Sequence, residues 1–204
     1  MRVVYLDLET TGLEPKKSLV LEVGMLIDNL QNIDRPLEDC PTFECLVSHE
    51  KIYGDVKALA MNAGILQRLA NPGASDTLIV PDERLQDHMI QWLKSEFSNG
   101  ASIVIGGKNP GFDLDMFLTS NYIELREGSL WIGDHRIHHR KVDPTFCFFD
   151  PLYDLEPPSM NECLQRAGIQ KITAHRALDD CKNVALLVRA ELTRRKLWHN
   201  SKDS

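Results

Sequence analysis

A chain of 204 residues can bury one substantial core but is too short for two ordinary domains, so 1–198 reads as a single domain and 199–204 as a disordered tail. With 43% hydrophobic and 26% charged residues, no apolar run near the ~20 residues that span a bilayer and no secretory segment at the N-terminus, a cytoplasmic globular protein is expected and a membrane protein excluded. The net charge of −7 argues against tight duplex binding, although acids gathered around cations would reverse the local sign.

Taken in chain order, residues 2–8 (RVVYLDL) are β-branched and aromatic, as a buried central strand requires. After a polar turn with Gly12 and Pro15, residues 19–28 and 42–48 read as two more strands, and the short connections suggest an antiparallel meander. Val56, Leu59, Ala60 and Ala63 are spaced for a short helix and 65–70 for another, ended by Asn71-Pro72-Gly73. Pro81 suits a first helical position, and Leu85, Met89, Trp92, Leu93 and Phe97 continue the helical stripe to Asn99-Gly100. Residues 102–105 form a short strand, Asp113 opens a helix, and 136–142 are expected as a fifth strand. Beyond a proline-rich loop at 150–158, Ser159 and Glu162 form a capping box for a helix ending at Gly168, and a last helix runs from about 175 to 197. Three strands followed by helices alternating with two more strands indicate an α/β fold, a mixed sheet with helices on both faces. The five cysteines are an odd number without a C-x-x-C pair, which fits reduced thiols better than disulfides or a zinc ribbon.

Asp7 and Glu9 stand at i and i+2 near the end of the first strand, so their side chains share a face. Two carboxylates on one face of a buried strand repel each other unless a cation pairs them. The alternative is a strand that stops at Leu6, with both acids solvated. Asp113 follows a strand and the turn 106–111; an acid in a first helical turn also suits the helix dipole, and Asp115 competes for its role. His175, Ala177 and Asp180 form H-x-A-x-x-D where the last helix begins, with Asp179 as the alternative to Asp180.

Asp7-Leu8-Glu9-Thr10-Thr11-Gly12-Leu13, then Asn109-Pro110-Gly111-Phe112-Asp113, then His175-Arg176-Ala177-Leu178-Asp179-Asp180 occur in order, each at an expected strand end or helix start. Together they resemble the three motifs of the DEDDh (DnaQ-like) 3′–5′ exonucleases, which include polymerase proofreading subunits and oligoribonuclease; the resemblance covers roughly residues 2–195. It implies a ribonuclease H-like fold with a five-stranded mixed sheet, three strands antiparallel and then two parallel. It further implies Asp7, Glu9, Asp113 and Asp180 as metal ligands and His175 as general base. The related branch that uses tyrosine as base is excluded, because Arg176 stands at that position.

Hydrolysis of a phosphodiester needs an activated water, neutralised phosphoryl oxygens and a stabilised leaving 3′-oxygen, and two divalent cations meet all three needs. Oxygen-only ligands indicate Mg²⁺ or Mn²⁺ rather than zinc. An imidazole that titrates near neutrality suits the base. The resemblance suggests Leu13 against the terminal nucleotide, with Met61 and Asn62 on a looser match; Thr10 and Asn109 are counted with them. Basic residues at 135–141 and 194–196 could contact phosphates. The expected partners are 3′ ends of single-stranded DNA or RNA, with a homodimer or a polymerase partner left open. Two alternatives stand beside this: an oligoribonuclease-like enzyme restricted to very short RNA, and a catalytically inert nuclease-fold binding module.

Overall fold

The computed structural model describes residues 1–74, 76–172 and 176–200. Its centre is a five-stranded sheet built from β1 (Arg2–Thr10), β2 (Val20–Asn29), β3 (Thr42–Ser48), β4 (Leu78–Pro81) and β5 (Val104–Gly106), in the order β4-β3-β2-β1-β5. β1, β2 and β3 pair antiparallel as the short connections require; β4 joins β3 and β5 joins β1 in parallel. This is the α/β mixed sheet expected from the sequence, with one exchange of strands. The edge beside β3 is the short β4, closed by Pro81, and the helical stripe begins only at Leu85. Residues 136–142 touch β5 through two isolated bridges, Ile103 with Ile137 and Gly106 with Val142.

Among the described residues, six α-helices accompany the sheet: α1 (Val56–Met61), α2 (Ala63–Ala70), α3 (Leu85–Glu96), α4 (Pro110–Thr119), α5 (Met160–Arg166) and α6 (Ala177–Asn200). The capping box of Ser159 and Glu162 opens α5 as the sequence indicates. A small three-stranded sheet of β6 (Glu124–Arg126), β7 (Ser129–Ile132) and β8 (His135–Arg136) fills the connection after α4. No described helix is long and apolar enough to cross a membrane. α6 extends two residues into the segment expected as a tail, and 201–204 lie outside the described residues.

Alternation along β1 divides the core. Val4, Leu6 and Leu8 pack with Leu85, Met89 and Leu93 of α3 and Leu114, Met116 and Phe117 of α4. Val3 and Tyr5 face the other way, onto Cys181, Val184, Ala185 and Val188 of α6. Period-two geometry therefore turns Asp7 and Glu9 toward α6. Arg189 of α6 donates to buried Asp28 of β2 at 2.7 and 2.9 Å, fixing the helix along the sheet.

A candidate metal centre of converging carboxylates

Register places the site. Asp7 lies opposite Gly24 and Glu9 opposite Glu22, so all four positions share the sheet face that receives α6. A Cβ at Gly24 would come within 2.3 Å of the Leu178 nitrogen and 2.4 Å of the Ala177 carbonyl carbon. Only glycine allows the first turn of α6 to rest directly on β2 there. The Ala177 N–H donates to Glu22 Oε2 at 3.1 Å, and the Cys181 thiol to the Gly24 carbonyl at 3.2 Å. That seating brings Asp180 to β1: single carboxylate oxygens of Asp7, Glu9 and Asp180 all lie within 4.8 Å of one another.

Asp113 enters from the opposite side of β1, on the first turn of α4. Gly107 lies so close to the strand that a Cβ there would meet the Leu6 carbonyl oxygen at 2.8 Å. Asn109, left-handed at φ 53°, then turns the chain into Pro110 and the helix. Its N–H donates to Asp143 Oδ2 at 2.9 Å, so a loop more than thirty residues away braces the turn. Asp113 is buried, and a hydrogen bond from the Leu8 backbone meets part of its charge.

Burial and mutual repulsion dominate the electrostatics of the cluster. Burial raises Asp7 well above the carboxylate range, and Asp113, Asp180, Glu9 and Glu22 raise it further. Glu9 is pushed up to about 7, by burial first and then by Glu22 and Asp180, against a hydrogen bond from Asn62. Asp113 likewise reaches about 7 through burial, with Glu9 adding to the rise. Carboxylates that resist ionisation together are those a divalent cation would bind with the greatest relief. The donors are all oxygens, which suits Mg²⁺ or Mn²⁺. This chemistry fits the ions expected from the sequence.

Residues the sequence did not single out hold the cluster in place. Glu22 is fully buried, meets Arg68 Nη2 of α2 at 3.0 Å and caps the start of α6. An acid in the middle of the otherwise apolar stretch 19–27 was the available signal for it. Asn183 donates to Asp180 Oδ1 at 3.3 Å and exchanges hydrogen bonds with the Ile172 backbone at 3.0 and 3.1 Å. Arg176 pairs with Glu44 Oε1 at 2.8 Å and reaches Thr77. Ile172 and Arg176, which flank 173–175, are therefore both anchored. His175 lies outside the described residues.

A cavity of about 820 Å³ opens beside the acids. Of the expected substrate contacts, Thr10, Leu13, Met61 and Asn62 line it, together with Glu9, Tyr53, Lys57 and Phe112. Leu13 and Met61 are 84% and 66% exposed, so each offers an apolar surface to a flat ring rather than filling the core. Asn62 is buried, and its Nδ2 donates to the Thr10 carbonyl at 3.0 Å, joining α1 to the end of β1. Asn109 lies apart from this cavity and shapes the turn ahead of Asp113.

No protein-family profile and no curated protein matches the sequence. Solved structures do match. E. coli exonuclease I in complex with a dT13 oligonucleotide superposes with a TM-score of 0.66 at 15% identity, over 98% of this chain and 43% of that one. Exonuclease I from Methylocaldum szegediense gives 0.63 at 14%, over 96% and 41%. Cell-death related nuclease 4 gives 0.60 at 16%, over 95% and 64%. The chain thus spans less than half of either exonuclease I and under two thirds of the third protein. These neighbours are nucleases, and this chain shares their α/β ribonuclease H-like fold.

Proposed function

We propose that the protein is a divalent-metal-dependent 3′–5′ exonuclease that releases nucleoside 5′-monophosphates from the 3′ end of single-stranded DNA or short RNA. The observation that carries this is the meeting of Asp7, Glu9 and Asp180 within 4.8 Å, from two stretches of chain some 170 residues apart, with Asp113 buried beside them. Fold likeness to nucleases supports it, as do the three motifs in the sequence.

Asp7, Glu9 and Asp180 would hold one cation, and Asp7 with Asp113 would hold a second. The cations would supply Lewis acidity to the phosphoryl oxygens and to the attacking and leaving oxygens. Every other part of the chemistry belongs to the chain. His175 takes the proton from the attacking water, and its flanking residues are held by Asn183 on one side and by Glu44 and Thr77 on the other. Leu13 and Met61 pack against the terminal base, and the Asn62–Thr10 link fixes the floor on which the terminal sugar rests.

Purified protein incubated with matched 5′-labelled DNA and RNA oligomers and Mg²⁺ or Mn²⁺ should give ladders shortened one nucleotide at a time from the 3′ end. EDTA and Asp180→Asn should each abolish them. Full-length label throughout, or internal cuts without a ladder, would end this proposal.

A further inference from the structure

The carboxylate centre and its cavity leave unused one strongly charged surface, the basic run at the sheet edge beyond β5. Arg136, Arg140 and Lys141 are exposed, and among the described residues none forms an ion pair, although many other cations of this acidic chain do. The nearby acids are already engaged. Asp134 pairs with Lys94, and Asp143 accepts from the Asn109 and Thr145 N–H groups. The His138 and His139 rings stack at 4.5 Å beside the cations. His139 sits below its ordinary value, through partial desolvation first and then through His138, Arg140, Arg136 and Lys141, all of them basic.

The run is also aimed. Ile137 and Val142 bridge in parallel to Ile103 and Gly106 beside β5, and β5 pairs in parallel with β1, Gly106 opposite Tyr5. The Lys141 end therefore points toward the end of the sheet where Asp7 and Glu9 stand. Two inter-strand spacings, about 10 Å, separate the edge from β1, a gap that a few nucleotides of single strand cover. Exposed Lys108, likewise without an ion pair among the described residues, stands in the turn between this edge and Asp113.

We propose that Arg136, Arg140 and Lys141, with the stacked His138–His139 pair, form a strip that grips the phosphodiester backbone of a single-stranded polynucleotide a few nucleotides upstream of its 3′ end. The inference rests on the exonuclease function and deepens it: long strands use the strip, and a dinucleotide cannot reach it. Exposed point charges with planar rings beside them can receive the phosphates and bases of a single strand.

The test is R136A/R140A/K141A against wild type, comparing kcat/KM on a 5′-labelled dodecamer and on a dinucleotide at several salt concentrations. The variant should lose roughly tenfold or more on the dodecamer, and its log–log salt slope should flatten by about 2, at about 0.7 for each lost single-strand phosphate contact. The dinucleotide rate should stay within about twofold. R136K/R140K, which keeps the charge, should track wild type. An unchanged dodecamer rate and salt slope, or equal losses on both substrates, would overturn the strip. If wild type cleaves neither substrate, the exonuclease function fails and the strip is judged by anisotropy of a fluorescent dodecamer. Weaker binding by the triple variant then sustains it, and equal binding overturns it.

Discussion

Gly24→Ala is the most demanding test of how the site is assembled. The added methyl would lie 2.3–2.7 Å from three backbone atoms of Ala177 and Leu178, none of which can swing aside as a side chain would. Relieving those contacts requires the start of α6 to retreat by ~1 Å. Overpacking of this kind costs about 1–3 kcal/mol. The charge-assisted bond from the Ala177 N–H to Glu22, stretched by the same movement, is worth about 1.5–3 kcal/mol. A stiffer unfolded chain returns about 0.4–1 kcal/mol. The net loss is roughly 2–5 kcal/mol, or about 4–20 °C in Tm for a chain of this size. Asp180 moves with the helix, so the rate should fall on the order of a hundredfold, as a misplacement near 1 Å can produce. Thermal melts and single-turnover hydrolysis read both effects. Gly64→Ala is the control: a Cβ there meets nothing within 4 Å, and α2 should gain about 0.5–1 kcal/mol. If Gly24→Ala melts with wild type and keeps its rate, the close seating of α6 on β2 does not position Asp180.

The remaining predictions concern charge. Because burial and mutual repulsion raise Asp7, Glu9 and Asp113 in the fold, the native metal-free protein binds more protons than the unfolded chain, and its stability must fall as pH rises from about 4.5 toward 7. Melts in EDTA should show that decline, Mg²⁺ or Mn²⁺ should restore Tm at pH 8 far more than at pH 5, and Asp7→Asn should flatten the profile while removing the metal response. Glu22→Ala leaves Arg68 facing a buried void and the start of α6 uncapped, so denaturant titration should show a loss of about 3–5 kcal/mol, the usual consequence of halving a buried ion pair; a loss below 1 kcal/mol would show the pair to be incidental. His175→Ala should slow hydrolysis by about 10²–10⁴-fold while calorimetry finds cation binding nearly unchanged, and a variant that stops binding cations would make His175 a ligand.

The convergence of Asp7, Glu9 and Asp180 was legible because two acids at period two close an apolar strand and an H-x-A-x-x-D run begins the last helix. Asp113, an acid in a first helical turn, instead fits the ordinary helix-dipole pattern. The three-stranded meander was legible because its pairings are local. The edge strand Leu78–Pro81 was not. Four residues carry too little periodicity, and their parallel partner β3 lies some thirty positions earlier, so Pro81 looked like a helix start. At 136–142 the reverse occurs: the run is expected as a strand, but the Arg140 N–H bonds back to His138 Nδ1, and the segment meets β5 only through isolated bridges. The β6–β7 hairpin carried a usable sign in Glu127-Gly128, both at positive φ as a tight hairpin turn requires. Arg68 and Asn183 could not be assigned from one chain, and Glu22 stood out only as an acid within an apolar stretch, because what matters about all three is whom they meet across the fold.

The hydrogen bond from Ala177 to Glu22 joins positions 155 residues apart. Loops that long close late, because their entropy must be spent before any contact rewards it. During synthesis, the meander leaves the ribosome with its acidic face bare and lacking Asp180 until the final helix arrives. On the proposed function, a half-made chain therefore lacks one of its metal-holding acids until the first turn of α6 has docked on β2.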